Sequence, residues 1–298
     1  MFTDLFQLEQ KPVTVFSSGD AGAPVLLKEP GSLKTLLKAC LVTGYGDKAS
    51  LGWAMKFESE DQKSAAFAST DVTASQFVFK IDDSSSTTAK LSAYQSMASI
   101  DVGQNPFGVD NEYTLYASDW RLVGHSKAFI LLLDVDMKGF RCALPIVFGD
   151  IPCEVKRVEA ACILWSARVG GYGTGGLQST LAKWPNGHNS GYSNMDKAVC
   201  YPVRMSSEGN GFNINQGLCR FSYTDYVNAS ALYEPVLMSL ADSAWGMLPM
   251  LLPLSSRLIE VANLGQINAN AINARTGHYD YFGFDNNDCA VPTNWWYA

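Results

Sequence analysis

The sequence predicts a mainly β, α+β fold: antiparallel strand meanders or a sandwich, with one N-terminal amphipathic helix. Three observations carry this. Apolar residues alternate with others over short runs, as at Trp53, Met55 and Phe57 or Phe77, Phe79 and Ile81, the two-residue period of a half-buried strand. Leu33, Leu36, Leu37 and Cys40 instead keep a helical spacing, which puts them on one face. Clusters of Gly, Ser, Asp and Pro separate these runs, as turns do.

In chain order, residues 12–16 alternate and are β-branched, which predicts a strand. Residues 17–24 form a turn cluster. The helix is expected over residues 32–41, with Ser32 as its N-cap after Pro30 and Gly31, and Gly44 as its stop. A meander follows through residues 53–57, 65–68, 77–81 and 91–94, with a Ser-rich turn after Asp82 and Asp83. Residues 101–108 read as loop. Residues 128–135, 143–148 and 160–167 are strong strand candidates, and the first is apolar enough to be buried on both faces. Residues 138–139 read as a hairpin turn.

The expected domain organisation is an N-terminal mainly β domain over residues 1–168, a Gly/Ser/Asn-rich loop over 169–198, and a β-rich region with an aromatic tail over 199–298. Within the last, residues 199–205, 218–223 and 258–261 are candidate strands. Residues 231–241 are a candidate helix with Pro235 in its first turn. The tail aromatics are too apolar to stay solvated, so they dock on this chain or on a neighbour.

Composition limits the function. Charged residues are 17% of the chain, against roughly 25% in a typical soluble domain. A subunit buried among neighbours has such a surface. The net charge of −7 and the lack of a Lys/Arg cluster argue against nucleic acid. Apolar runs such as 128–133, or 247–254 with two prolines, are far short of the roughly 20 residues that span a bilayer. The first ten residues lack the basic and apolar regions of a secretory signal. The seven cysteines lack zinc-knuckle spacing and read as buried free thiols of a reducing compartment. No metal or other cofactor is expected.

Motif matches dissolve on context. Gly171, Gly173 and Gly176 have dinucleotide-loop spacing, but Pro185 and Gly187 cut short any helix after them. Asp134 and Asp136 follow an apolar run but lead into a hairpin turn rather than a phosphoryl-transfer motif. Asp82 and Asp83 are adjacent, so on a strand they face opposite ways, and they read as a solvated hairpin tip. None of His125, His188 and His278 lies near another, and no G-x-S-x-G elbow exists. His125 reads as a satisfied core or edge residue. Asn228-Ala229-Ser230 is a formal glycosylation sequon without other signs of secretion.

One block carries a resemblance. It holds Ser18, Asp20, Gly22, Ala23 and Pro24, then Gly31, Ser32 and Leu33. It continues with Cys40, Leu41, Val42, Gly44, Tyr45 and Gly46, then Gly52 and Trp53. This pattern resembles the start of a group of uncharacterised virion structural (tail-associated) proteins of tailed bacteriophages and prophages. Further similar pieces are Asp82, Asp83, Met97, Asp101 and Gly103, and the corner from Phe148 to Ile151. Near the C-terminal end, Trp245 and Met250 stand where the group has arginine and glycine. The similarity is good over residues 13–151.

The resemblance implies a virion component, assembled in the bacterial host cytoplasm and acting by subunit contacts without catalysis. The tail tip, baseplate or fibre attachment is the favoured place, with a head or neck decoration protein as the alternative. The expected partners are further copies of the chain, as a trimer or hexamer, and other virion proteins. A host-surface glycan stays open as a partner. Trp184, Tyr192, Tyr279, Tyr281, Phe282, Trp295, Trp296 and Tyr297 are the candidate interface residues, since Trp and Tyr dominate interface energetics. The rival readings are a glycan hydrolase built on Asp82, Asp83, Asp101 and Asp150, and a sugar-binding module that uses the aromatic loops.

Overall fold

The computed structural model describes residues 10–114, 117–137, 140–151, 161–169, 177–179, 199–201, 236–240, 244–248, 252–254, 274–276, 279–284 and 287–297. The elements in order are β1 (Gln10–Pro12), β2 (Thr14–Ser17), α1 (Ser32–Lys38), β3 (Trp53–Glu58), β4 (Ser64–Ser69), β5 (Val78–Asp82), β6 (Thr88–Ser99), β7 (Val102–Thr114), β8 (Asp119–Gly124), β9 (Ala128–Met137) and β10 (Phe140–Ile151). They continue with β11 (Ala161–Val169), β12 (Leu177–Ser179), β13 (Val199–Tyr201), β14 (Val236–Leu240), β15 (Ala244–Leu248), β16 (Leu252–Leu254), β17 (Ala274–Thr276), β18 (Tyr279–Phe284), β19 (Asn287–Pro292) and β20 (Trp295–Tyr297). The mainly β architecture is as expected, and all described strand pairs are antiparallel.

Two sheets dominate. One is the five-stranded meander β3-β4-β5-β6-β7; the other runs β12-β11-β10-β9-β8-β2, with β13 also on β11. They pack face to face. Phe79 of the meander lies 5.8 Å from Phe129 and 5.1 Å from Phe148, and Trp53 lies 5.6 Å from Phe129. These tilted and edge-on rings add to the burial of their large apolar area. Residues 128–133 are buried on both faces of β9, in line with their continuous apolar run.

The helix adds Leu33, Leu36, Leu37, Cys40 and Leu41 to the same core. Its ends differ from expectation. The α-helix stops at Lys38 and widens into a π turn over Ala39–Thr43. Gly44, at φ 74°, ends that turn by donating its amide to Ala39 O. Gly31 is the N-cap, at φ 81°, rather than Ser32. The Ser32 hydroxyl turns back to accept the Leu27 amide at 2.8 Å.

Further expectations are corrected. Residues 102–108 belong to β7, not to a loop: β6 and β7 form one long hairpin whose register shifts at Leu91/Ala93 and Met97/Ser99. Such bulges hide a strand behind broken alternation. Within the expected helix at 231–241, residues 236–240 form β14, which pairs with β15 from Val236↔Leu248 to Leu240↔Ala244. Tertiary pairing has outweighed local pattern there. Beyond residue 168, β12 and β13 both pair with β11. Near the chain's two ends, β1 pairs with β20. The glycine motif at 171–176, the sequon, His188, His278 and the candidate strands at 218–223 and 258–261 lie outside the described residues.

Candidate functional site

Three polar joints gather the chemically distinctive residues. The first lies in the block that carries the resemblance. Asp20 Oδ2 accepts the Ser17 amide at 2.7 Å, the Tyr45 hydroxyl at 2.9 Å and the Lys48 ammonium at 2.6 Å. Lys48 also donates to Val15 O at 2.6 Å. Burial raises the Asp20 carboxyl, but the bonds from Lys48, Tyr45 and Ser17 outweigh it and hold the group below its ordinary range. Burial and the bond to Asp20 push the Tyr45 phenol far up, so it stays protonated as a donor. The Tyr45 ring packs 5.7 Å from Phe16 and 6.2 Å from Trp120. Trp120 in turn donates its indole N–H to Pro24 O at 2.9 Å. Gly46 permits the close approach: a Cβ there would overlap Ala21 O. The turn at 18–24 is thus clamped between the helix exit and β8.

The second joint is Asp83. The sequence suggests a solvated hairpin tip; the structure buries the residue completely. Its Oδ2 accepts the Lys34 amide at 3.0 Å, and its backbone carbonyl accepts the Gly31 amide at 2.8 Å. It therefore caps α1 from 49 residues away. Burial pushes the carboxyl up to about 6, against the pull of the Lys34 and Leu33 amides. Lys34 pairs with Glu58 at 2.7 Å beside it.

The third joint brings Lys11, Asp71, His125 and Asp150 to the place where β1, β20, the β4–β5 loop, the β8–β9 turn and the end of β10 meet. Asp71 accepts Lys11 at 2.6 Å, the Ser126 hydroxyl at 2.8 Å and the Thr73 hydroxyl at 2.7 Å. The bond from Lys11, first among these, holds its carboxyl well below the usual range. Asp150 accepts the Ser75 amide at 2.7 Å and the Ser75 hydroxyl. Burial raises it to about 6. Gly149, at φ 133°, lets β10 reach this point, since a Cβ would overlap Lys127 O.

His125 sits in the same joint, 5% exposed, and burial lowers its pKa to about 3. Its Nδ1 accepts the Lys127 amide at 3.0 Å, so the neutral ring carries its proton on Nε2. Among the described residues Nε2 has no hydrogen-bond partner, and the ring meets Trp296 edge-on with centroids 5.3 Å apart. Ser75 donates to Asp150 and His125 accepts a backbone amide, so these contacts form no serine–histidine nucleophile–base pair.

The acids proposed for glycan cleavage do not converge. Asp150 is held at Ser75, before β5 begins, while Asp82 and Asp83 lie at its other end. Asp101 pairs at 3.9 Å with Lys80 on the meander. Among the described residues no group of three or more His, Cys, Asp or Glu could hold a metal ion, and no helix is long and apolar enough to cross a membrane. Of the candidate interface residues, Trp184 and Tyr192 lie outside the described residues; Tyr279, Tyr281 and Phe282 are on β18, and Trp295 and Tyr297 on β20. Trp296 is 1% exposed and docks on this chain against His125. Sequence reasoning missed Asp71, Ser75 and Lys11, because their joint depends on contacts 55–75 residues apart along the chain.

Comparison with protein-family models, with curated proteins and with solved structures returns no match.

Proposed function

We propose that this chain is a structural component of a tailed-phage virion, in the tail at the tip, baseplate or fibre attachment. It acts by subunit–subunit assembly without catalysis, and is assembled in the bacterial host cytoplasm. The observation that supports this reading is what the signature block does. Ser18, Asp20, Gly22, Pro24, Gly44, Tyr45 and Gly46 all serve one joint that ties a turn, a helix exit and β8 together. Residues so used suit a scaffold part better than a reaction centre. The low charge of 17% suits a subunit with extensive neighbours. The tail assignment comes from the resemblance.

The test has two readouts. Light scattering coupled to size exclusion is expected to give a trimer or hexamer, and antibody against the chain is expected to label the tails of gradient-purified particles in electron micrographs. Label on the head or neck would replace the tail by the decoration reading. A monomer at all concentrations together with unlabelled particles would overturn the virion reading and turn attention to glycans.

A further inference from the structure

The distal part of the β6–β7 hairpin is an arm that folds back over its own sheet. Residues 89, 91 and 93 of β6 face the main core. Beyond them the hairpin outruns β5, whose pairing with β6 ends at Val78↔Tyr94. A straight hairpin would carry its tip away from the sheet. Instead Met97 and Ile100 pack on Ala66, Ala68 and Val78, on the outer face of the meander. Asp101 at the tip reaches Lys80 of β5 at 3.9 Å.

The bend has identifiable causes. Register shifts at Leu91/Ala93 and Met97/Ser99 increase curvature. Asn105 takes the left-handed region at φ 47°, and its side chain donates to Gln95 at 2.5 Å. Gly103 lies under the Tyr94 ring, where a Cβ would overlap it.

The seat is specific but small. Three buried side chains, two of them alanine, form it. The ion pair is long, and Asp101 is 85% exposed, so it adds little. Val102 at the tip is 55% exposed. Few buried contacts at the end of a bent two-stranded element mean local opening well below the cost of global unfolding. An opened arm exposes Met97 and Ile100, and it leaves the seat on its own sheet partly bare, with Phe57 of β3 still packed against it. The surface known to fit that arm is the same seat on another copy.

We propose that the arm, residues 95–105, exchanges between copies of this chain, each seating Met97, Ile100 and Asp101 on the Ala66–Ala68–Val78–Lys80 face of a neighbour. The exchange rests on the assembly reading above and supplies its contact. It repeats the observed contacts, so it needs no new complementarity, which is why swapping of an identical element is a low-cost route to oligomers.

The test uses the Lys80–Asp101 pair as a reporter. Carbodiimide joins an ammonium and a carboxylate in contact, so the native chain is expected to give a linked 80–101 peptide. Two differently tagged full-length chains, Lys80→Arg and Asp101→Asn, are co-expressed and purified through both tags. In that mixture the Lys80–Asp101 link can form only between chains. A covalent dimer carrying this link, absent from either variant alone, is the expected result. An oligomer of native mass without the interchain link, while the native chain still links, would overturn the exchange and leave the assembly reading standing. A monomer at all concentrations by light scattering would overturn the exchange, and together with unlabelled particles it would overturn the assembly reading too.

Discussion

Asp20 offers the sharpest test of the signature joint. Asp20→Ala removes one oxygen that accepts three hydrogen bonds, from Ser17, Tyr45 and Lys48. A hydrogen bond to a charged group contributes about 1.5–3 kcal/mol. The three do not add fully, because the carboxylate is 22% exposed and Lys48 keeps Val15 O. A loss of about 2–4 kcal/mol is the expected net effect. At roughly 2 °C per kcal/mol for a chain of this size, Tm drops by about 4–8 °C. Asp20→Asn keeps an acceptor but not the charge, and loses about half as much by the same reckoning. Tyr45→Phe loses about 1 kcal/mol. The double variant Asp20→Ala/Tyr45→Phe falls short of the sum by about 0.5 kcal/mol or more, because the two groups share a bond. Urea titration of the native chain and the four variants measures the free energies, and thermal melts give the Tm shift. An Asp20→Ala variant within about 0.5 kcal/mol of the native chain, or strict additivity with Tyr45→Phe, would refute the joint. The sign of the pH dependence is also set. A carboxyl held below 3.8 in the fold contributes fully above that pH and loses its contribution as pH falls through the lowered value, so the gap to Asp20→Asn closes in acid.

The other joints give further expectations. Gly149→Ala places a Cβ on Lys127 O at φ 133° and costs about 3 kcal/mol or more, read from the urea midpoint; a cost below about 1 kcal/mol would contradict the packing at that corner. Asp83 behaves oppositely to Asp20. Its carboxyl is raised from 3.8 to about 6, so the ionised fold carries a penalty of up to about 3 kcal/mol that is absent below 3.8 and complete above the raised value. Asp83→Asn therefore gains on the native chain as pH rises from 4 to 8, and a pH-independent difference would mean that the carboxyl is solvated. Burial pushes the Cys40 thiol far up, so mass spectrometry of the alkylated native protein should find Cys40 unmodified, and Cys40→Ala should cost about 1–3 kcal/mol as a small core deletion. Rapid native labelling at Cys40 would place it outside the core.

What was legible in the sequence was local. Leu33, Leu36, Leu37 and Cys40 announced a helical face because they lie within a few turns, and Phe77, Phe79 and Ile81 a strand because alternation survives there. Bulges in the β6–β7 hairpin broke that alternation, which is why residues 101–108 looked like loop; at Met55 and Phe57 the sequence alternates, yet a bulge sends the two side chains to different clusters. Asp83 looked like a turn residue because it follows a strand and precedes serines; its true role depends on α1, far away in the chain. The Asp71 joint was invisible for the same reason. A hydrogen bond between residues 60 positions apart leaves no periodic trace.

The β1–β20 pairing bears on the order of events during synthesis. Trp295 and Trp296 leave the ribosome about 285 residues after their partners Pro12 and Lys11. At about 5–20 residues per second, the first strand waits on the order of tens of seconds, and the ring that covers His125 arrives only then. Until that moment the β8–β9 turn lacks its Trp296 cover. Shortening the chain before residue 295 would therefore remove the partner of a strand made far earlier, and the damage would be felt at Lys11 and His125 rather than where the cut was made.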